Sequence, residues 1–171
     1  MMKKNIFLRS LKYFFYILLI INLLILGCSC SQKELFSLEK TFIDTNWDFD
    51  NRIVTLEKEL NSSDKPYKIF IELNLTQNLK IDNLPIVISL IAPDGAESHR
   101  SVIYHFKLND DSFYKNTGNV LSFTKEVYVQ KYFNSSGKYT FRILRKGNKY
   151  DLYGVQSVRL YAVPVKKQNK K

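Results

Sequence analysis

From Tyr67 to Leu75 every second residue is bulky and apolar, with Lys68, Phe70, Glu72 and Asn74 between. In an extended chain successive side chains point to opposite sides. Tyr67, Ile69, Ile71, Leu73 and Leu75 therefore share one face, whereas a helix would scatter them around its circumference. A strand with one apolar face must bury that face against a second layer, and this restricts the folds open to the chain.

The same period recurs along the sequence. Val54, Leu56 and Leu60 alternate with Thr55, Glu57 and Glu59. Val102, Tyr104, Phe106 and Leu108 alternate with Ser101, Ile103, His105 and Lys107. Tyr139, Phe141 and Ile143 alternate with Thr140, Arg142 and Leu144, and Val158, Leu160 and Ala162 close the series. Phe123, Val127 and Val129 form a further inward set, while Leu84 to Ile91 is nearly all apolar, as in a strand covered on both faces. Turn chemistry separates the runs. In Ala92-Pro93-Asp94-Gly95, Pro93 presets φ and Gly95 takes the positive φ that follows. Asp110 to Asn119 is expected to hold a helical turn. Seven or eight strands with such breaks predict an all-β, antiparallel sandwich, and the uneven loops favour a jelly-roll-like one.

The N-terminus is of another kind. Lys3, Lys4, Arg9 and Lys12 precede an apolar run from Tyr13 to Leu26, and Glu34 is the first acidic residue. The run is 14 residues long, short of the ~20 that cross a bilayer as a helix. A basic start, a short apolar stretch and Gly27-Cys28 make a secretory signal with a lipid-attachment cysteine. The expected divisions are a signal peptide over 1–27, a lipidated tether over 28–33, a β-sandwich over 34–165 and a basic disordered tail over 166–171. Cys28 is the expected lipidation site and Cys30 a free thiol or an intermolecular partner. The domain itself contains no cysteine.

The net charge of +10 belongs largely to the two ends. The signal holds four cations and no acid, and the tail holds Lys166, Lys167, Lys170 and Lys171. What remains is nearly balanced and mixed in sign, which is not a nucleic-acid footprint. The tail's residual use is attraction to anionic headgroups.

Catalytic constellations are hard to assemble. His99 and His105, six apart on one strand, are separated by about 20 Å and cannot share a metal. Ser101 lies between them but stands about 7 Å along the strand from His99 and about 13 Å from His105, and no Gly-x-Ser-x-Gly elbow is present. Asp48 with Asp50, and Asp110 with Asp111, fall in loops where acids form solvated turns. A calcium site there lacks the regular acid spacing of a dedicated loop. No metal, cofactor, small-molecule ligand or enzymatic activity is expected.

Binding is better served. If Phe123, Val127 and Val129 point inward, Tyr128 and Tyr132 point out, as do Phe70 and Tyr161 beside Arg159. Aromatic and Arg side chains are the commonest anchors of interfaces. Tyr128, Tyr132 and Arg142 are the candidate partner-binding residues.

The order of landmarks resembles the gliding-motility lipoprotein GldH family of Bacteroidota. It runs from Cys28 through Trp47, Val54-Thr55-Leu56-Glu57, Lys65-Pro66-Tyr67, Asn83-Leu84 and Ala92-Pro93-Asp94-Gly95. It ends with Gly137-Lys138-Tyr139-Thr140-Phe141 and Leu152-x-Gly154-x-x-x-Val158. Lys58 departs from the family, which more often has an apolar residue there, and the basic tail resembles an extension. The resemblance implies a non-enzymatic envelope lipoprotein anchored to the outer membrane through acyl chains on Cys28. It would touch other envelope proteins of the gliding and type IX secretion apparatus, and no active-site residues are carried over. The alternative is a glycan- or peptide-binding surface lipoprotein of a nutrient-uptake system, which the same fold could serve. An envelope hydrolase would need a tight polar cluster in a pocket.

Overall fold

The computed structural model describes residues 33–77, 79–106, 113–147 and 150–166, with backbone alone at 113–117. The signal segment, Cys28, most of the tether, residues 107–112 and the tail beyond Lys166 lie outside the described residues. Within them eleven strands form: β1 (Phe36–Thr41), β2 (Asn46–Trp47), β3 (Ile53–Leu60), β4 (Ser63–Thr76), β5 (Asn83–Ile91), β6 (Glu97–His105), β7 (Phe113–Thr117), β8 (Val120–Phe133), β9 (Gly137–Arg145), β10 (Leu152–Tyr153) and β11 (Val155–Pro164).

Two antiparallel sheets make a sandwich. One runs β1-β11-β4-β8-β7 and the other β3-β9-β5-β6, while β2 and β10 form a small ribbon at one end. Setting aside the short strands and β7, the order is that of a jelly roll, with chain neighbours repeatedly placed in opposite sheets. The apolar face of β4 is buried along its length, as its alternation requires, against Ile86, Ile88, Phe141 and Ile143 of the other sheet. Tyr104 ties the layers together, its hydroxyl donating to the Ile71 carbonyl across the sandwich at 2.7 Å.

Both described ends of the chain lie at one pole. Phe36 at the start of β1 is in register with Ala162 near the end of β11, and the Val165 N–H reaches the Pro66 carbonyl at 2.9 Å. Two landmarks meet at this pole. Gly95 (φ 84) closes the Pro93 turn as expected, and a Cβ on Gly137 would sit 3.0 Å from Pro93 Cβ. The opposite pole carries the β2–β10 ribbon and the loops leading into β3 and β11.

Three expectations are corrected. β5 is not covered on both faces: Leu84, Ile86, Ile88 and Leu90 are buried while Pro85, Val87, Ser89 and Ile91 are half exposed. Outward apolar residues had disguised an ordinary half-buried strand. The stretch 110–119 holds no helical turn where it is described, because Phe113–Thr117 pairs with β8 in a hairpin; Asp110 and Asp111 lie outside the described residues. The phase of β8 also changes midway. Ile69 faces Tyr128 but the next residue, Phe70, faces Glu126, so Val127 is an extra residue in a bulge. Just beyond it the alternation inverts, with Tyr128 5% and Val129 67% exposed, and a second shift before Lys131 restores it, leaving Tyr132 exposed and Phe133 buried.

Candidate functional site

The bulge removes Tyr128 from the proposed contact face. Its ring lies inside, and its hydroxyl pairs with Ser98 Oγ at 3.1 Å. Tyr132 is exposed, and its hydroxyl accepts a bond from Gln130 Nε2 at 2.8 Å. Arg142 is exposed on the outer face of the other sheet, in register with Thr55 and Ser89. Tyr132 and Arg142 therefore lie on different sheets, and the three residues do not come together.

Phe70 and Tyr161 do face outward and stack at 5.3 Å, with the Arg159 guanidinium 4.6 Å over the Tyr161 ring. The polar groups around them are engaged with one another. Arg159 forms a two-pronged pair with Glu34 at 2.7 and 2.9 Å and lies 3.7 Å from Glu72. Asn74 donates to Ser157 and accepts from Ser122. Burial raises the Tyr161 hydroxyl above its ordinary pKa, helped by Glu72 and opposed by Arg159. Such a closed network holds β1, β11, β4 and β8 in register.

His99 and His105 sit on the exposed outer face of β6. His99 Nδ1 pairs with Ser89 Oγ at 2.7 Å, and its Nε2 lies 3.9 Å from Glu97. Sequence reasoning had weighed Ser101 and missed Ser89, which cross-strand register brings opposite His99. The trio lies open on a sheet face, with the His99 side chain 60% exposed. Among the described residues no group of three His, Cys, Asp or Glu side chains is placed to hold a metal ion.

The structure opens one cleft that the sequence did not suggest, about 730 Å³ in volume. It lies at the pole away from the described chain ends, where edge strands β1 and β3 part. Lys40 and Thr41 come from β1 and Ile53, Val54 and Thr55 from β3, with Phe42 and Trp47 beneath and Tyr153 at the rim. Its loop is costly to form. Asp44 and Thr45 both have positive φ, 52 and 53, which costs side chains about 1–2 kcal/mol per residue. The Gly154 N–H secures Thr45 through its carbonyl at 2.9 Å, and Phe42 stacks on Trp47 at 5.1 Å. The buried Trp47 indole nitrogen and Asn46 Oδ1 have no hydrogen-bond partner among the described residues.

Beside the cleft, buried Arg145 anchors the loop between β2 and β3. It donates to the Tyr150 carbonyl at 2.8 Å and shares the Phe49 ring with Arg52. Burial pulls its pKa down, Asp151 opposes this, and Arg52 adds to it. Asp151 also accepts the Phe49 N–H at 2.8 Å. Arg145 was missed because it occupies the inward phase of β9, where the pattern called for an apolar side chain.

The model of the GldH lipoprotein family matches residues 34–160. The chain belongs to this family. The landmarks that carried the resemblance now have positions: Trp47 under the cleft, Pro93 against Gly137, and Gly154 holding the strained turn. Membership makes the protein a lipoprotein of the cell envelope. Compared with curated proteins, the chain has no sequence match. Among solved structures it is similar to a carbohydrate-binding module specific for non-crystalline cellulose. The identity is 10% and the TM-score 0.41, over 74% of this chain and 70% of that one.

Proposed function

We propose that this GldH-family protein is a non-enzymatic structural or assembly component of the gliding-motility and type IX secretion-associated apparatus. It acts by contact with other envelope proteins while acyl chains on Cys28 hold it at the outer membrane. The observation that carries this reading is the polarity of the domain. Its described ends share one pole, so a tether of about five residues, at most about 17 Å when extended, attaches the domain there. The opposite pole presents Ile43 at 86% and Tyr153 at 63% exposure. Large exposed apolar and aromatic residues at one place favour contact with a partner.

The test is photo-crosslinking in the native envelope, with a photoreactive residue at Ile43, Tyr153, Val129 or Ile103 in turn. Crosslinks to secretion or motility proteins, strongest from Ile43 and Tyr153, are expected. They should vanish in Cys28→Ala cells, whose precursor should also remain uncleaved and take up no fatty-acid probe. An absence of protein crosslinks from all four positions would overturn the reading.

A further inference from the structure

A sandwich must guard the outer edges of its sheets, because an unpaired strand recruits other strands. Three edge strands of this protein carry a charge at an inward phase. Lys40 of β1 lies opposite buried Val158, Lys58 of β3 opposite buried Tyr139, and Arg100 of β6 opposite buried Ile88. In β3 the guard covers only the lower half, Glu57-Lys58-Glu59. The upper half, Ile53 to Leu56, carries no charge.

Hydrogen-bond alternation shows where its main chain points. The Arg145 N–H binds the Arg52 carbonyl at 3.1 Å, so Arg52 faces β9, as do Val54 and Leu56 at steps of two. Ile53 and Thr55 therefore direct N–H and C=O groups to the free edge. Both residues line the cleft. Across it Lys40 guards β1, so β3 is the receptive side. The loop beneath is strained at Asp44 and Thr45 and holds two unpartnered polar groups, features that gather at ligand clamps.

We infer that the upper edge of β3 is the docking site for an extended peptide segment of a partner protein. The segment adds as a strand against Ile53 and Thr55 and seats one side chain in the cleft, whose lining mixes Phe42 and Trp47 with Asp44, Asp48 and Asn51. This deepens the contact role proposed above and rests on it. Main-chain pairing supplies affinity in such strand addition, and the pocket beside it supplies selectivity.

The test uses the full mature chain in nanodiscs, held by its own lipid, to select binders from a displayed random library of short peptides. Bound peptides should protect the Ile53 and Thr55 amides from hydrogen exchange. N-methylation of a selected peptide at one set of alternate residues should abolish binding, and at the other set should be tolerated. Ile53→Pro removes one outward donor at the first residue of an edge strand, where proline is accepted. It should weaken binding by about tenfold with an unchanged melting temperature; if this variant melts early, the N-methyl series decides. Equal binding by both N-methylated phases, wild-type affinity in a folded Ile53→Pro protein, protection confined to another face, or failure to select any peptide would overturn the site. So would an oligosaccharide, and no peptide, protecting these amides. Native-envelope crosslinks that persist in Ile53→Pro cells would overturn strand addition while leaving the contact role intact.

Discussion

The two flanks of the sandwich are closed in different ways. On one flank β6 and β8 are bridged along their length. Phe106 meets Phe123 edge-on at 5.1 Å, Tyr128 bonds Ser98, and the Arg100 guanidinium lies 5.3 Å over the Tyr128 ring. On the other, where β1 and β3 are the edges, Phe36 of β1 packs at the lower end on Phe141 of β9 at 5.2 Å and on Phe133 of β8 at 6.2 Å. Above that the strands separate around the cleft. The chain thus bridges its two sheets closely at one flank and parts them at the other, at the pole away from its described ends.

The largest expected effect lies on the closed flank. Tyr128→Ala should cost about 3–5 kcal/mol, as loss of a buried aromatic does, whereas Tyr132→Ala should stay within about 0.5 kcal/mol. Urea denaturation of both variants checks the inverted phase of β8. Equal, small losses would place Tyr128 back on the surface.

Gly154→Ala should come next. Gly154 has φ 96, and an added Cβ would sit 3.0 Å from the Leu79 backbone. A loss of about 1–3 kcal/mol is expected from forcing a side chain into that conformation. Crosslinking from Ile43 should fall with it, since Gly154 holds the Thr45 turn in place.

Tyr104→Phe removes the bond to the Ile71 carbonyl and should cost about 1 kcal/mol. It should also alter the alkaline limb of stability. Burial raises the Tyr104 pKa well above its ordinary value of 10.0, and Glu72 adds to this. The folded protein therefore keeps a proton that the unfolded chain releases. That contribution is complete below about pH 10 and is lost as pH rises further. Denaturation at pH 9 and at pH 11 should show a smaller drop for Tyr104→Phe than for the native chain.

The smallest effect belongs to the open pole. Ile43→Ser and Tyr153→Ser should each change stability by less than about 0.5 kcal/mol while reducing crosslinking. A large stability loss would mean that these side chains pack against something that the described residues do not include.

The strands were legible because alternation is local: Tyr67 to Leu75 announces its own inward face. Trp47, Pro93, Gly137 and Gly154 were legible as landmarks in order, though not as contacts. Three things were not readable. The Val127 bulge depends on register with β4, and no residue of β8 signals it. Strands β1 and β7 are short, and β1 mixes Glu39 and Lys40 into its pattern. The cleft arises where strands 12 residues apart in sequence, Thr41 and Ile53, become the edges of opposite sheets, which is a property of topology. The outward aromatics Phe70 and Tyr161 were read correctly in direction, but their engagement with Arg159, Glu72 and Glu34 is a tertiary fact.

Amide hydrogen exchange along β3 of the mature chain, read residue by residue with and without a selected peptide, tests the account most directly. Without peptide, Ile53 and Thr55 should exchange fast while Val54 and Leu56, bonded to β9, exchange slowly. With peptide, Ile53 and Thr55 should become as slow as their neighbours, and Ser101 and Ile103 on β6 should not change. Slow exchange at Ile53 and Thr55 in the free protein, or protection that appears on β6 instead, would contradict it.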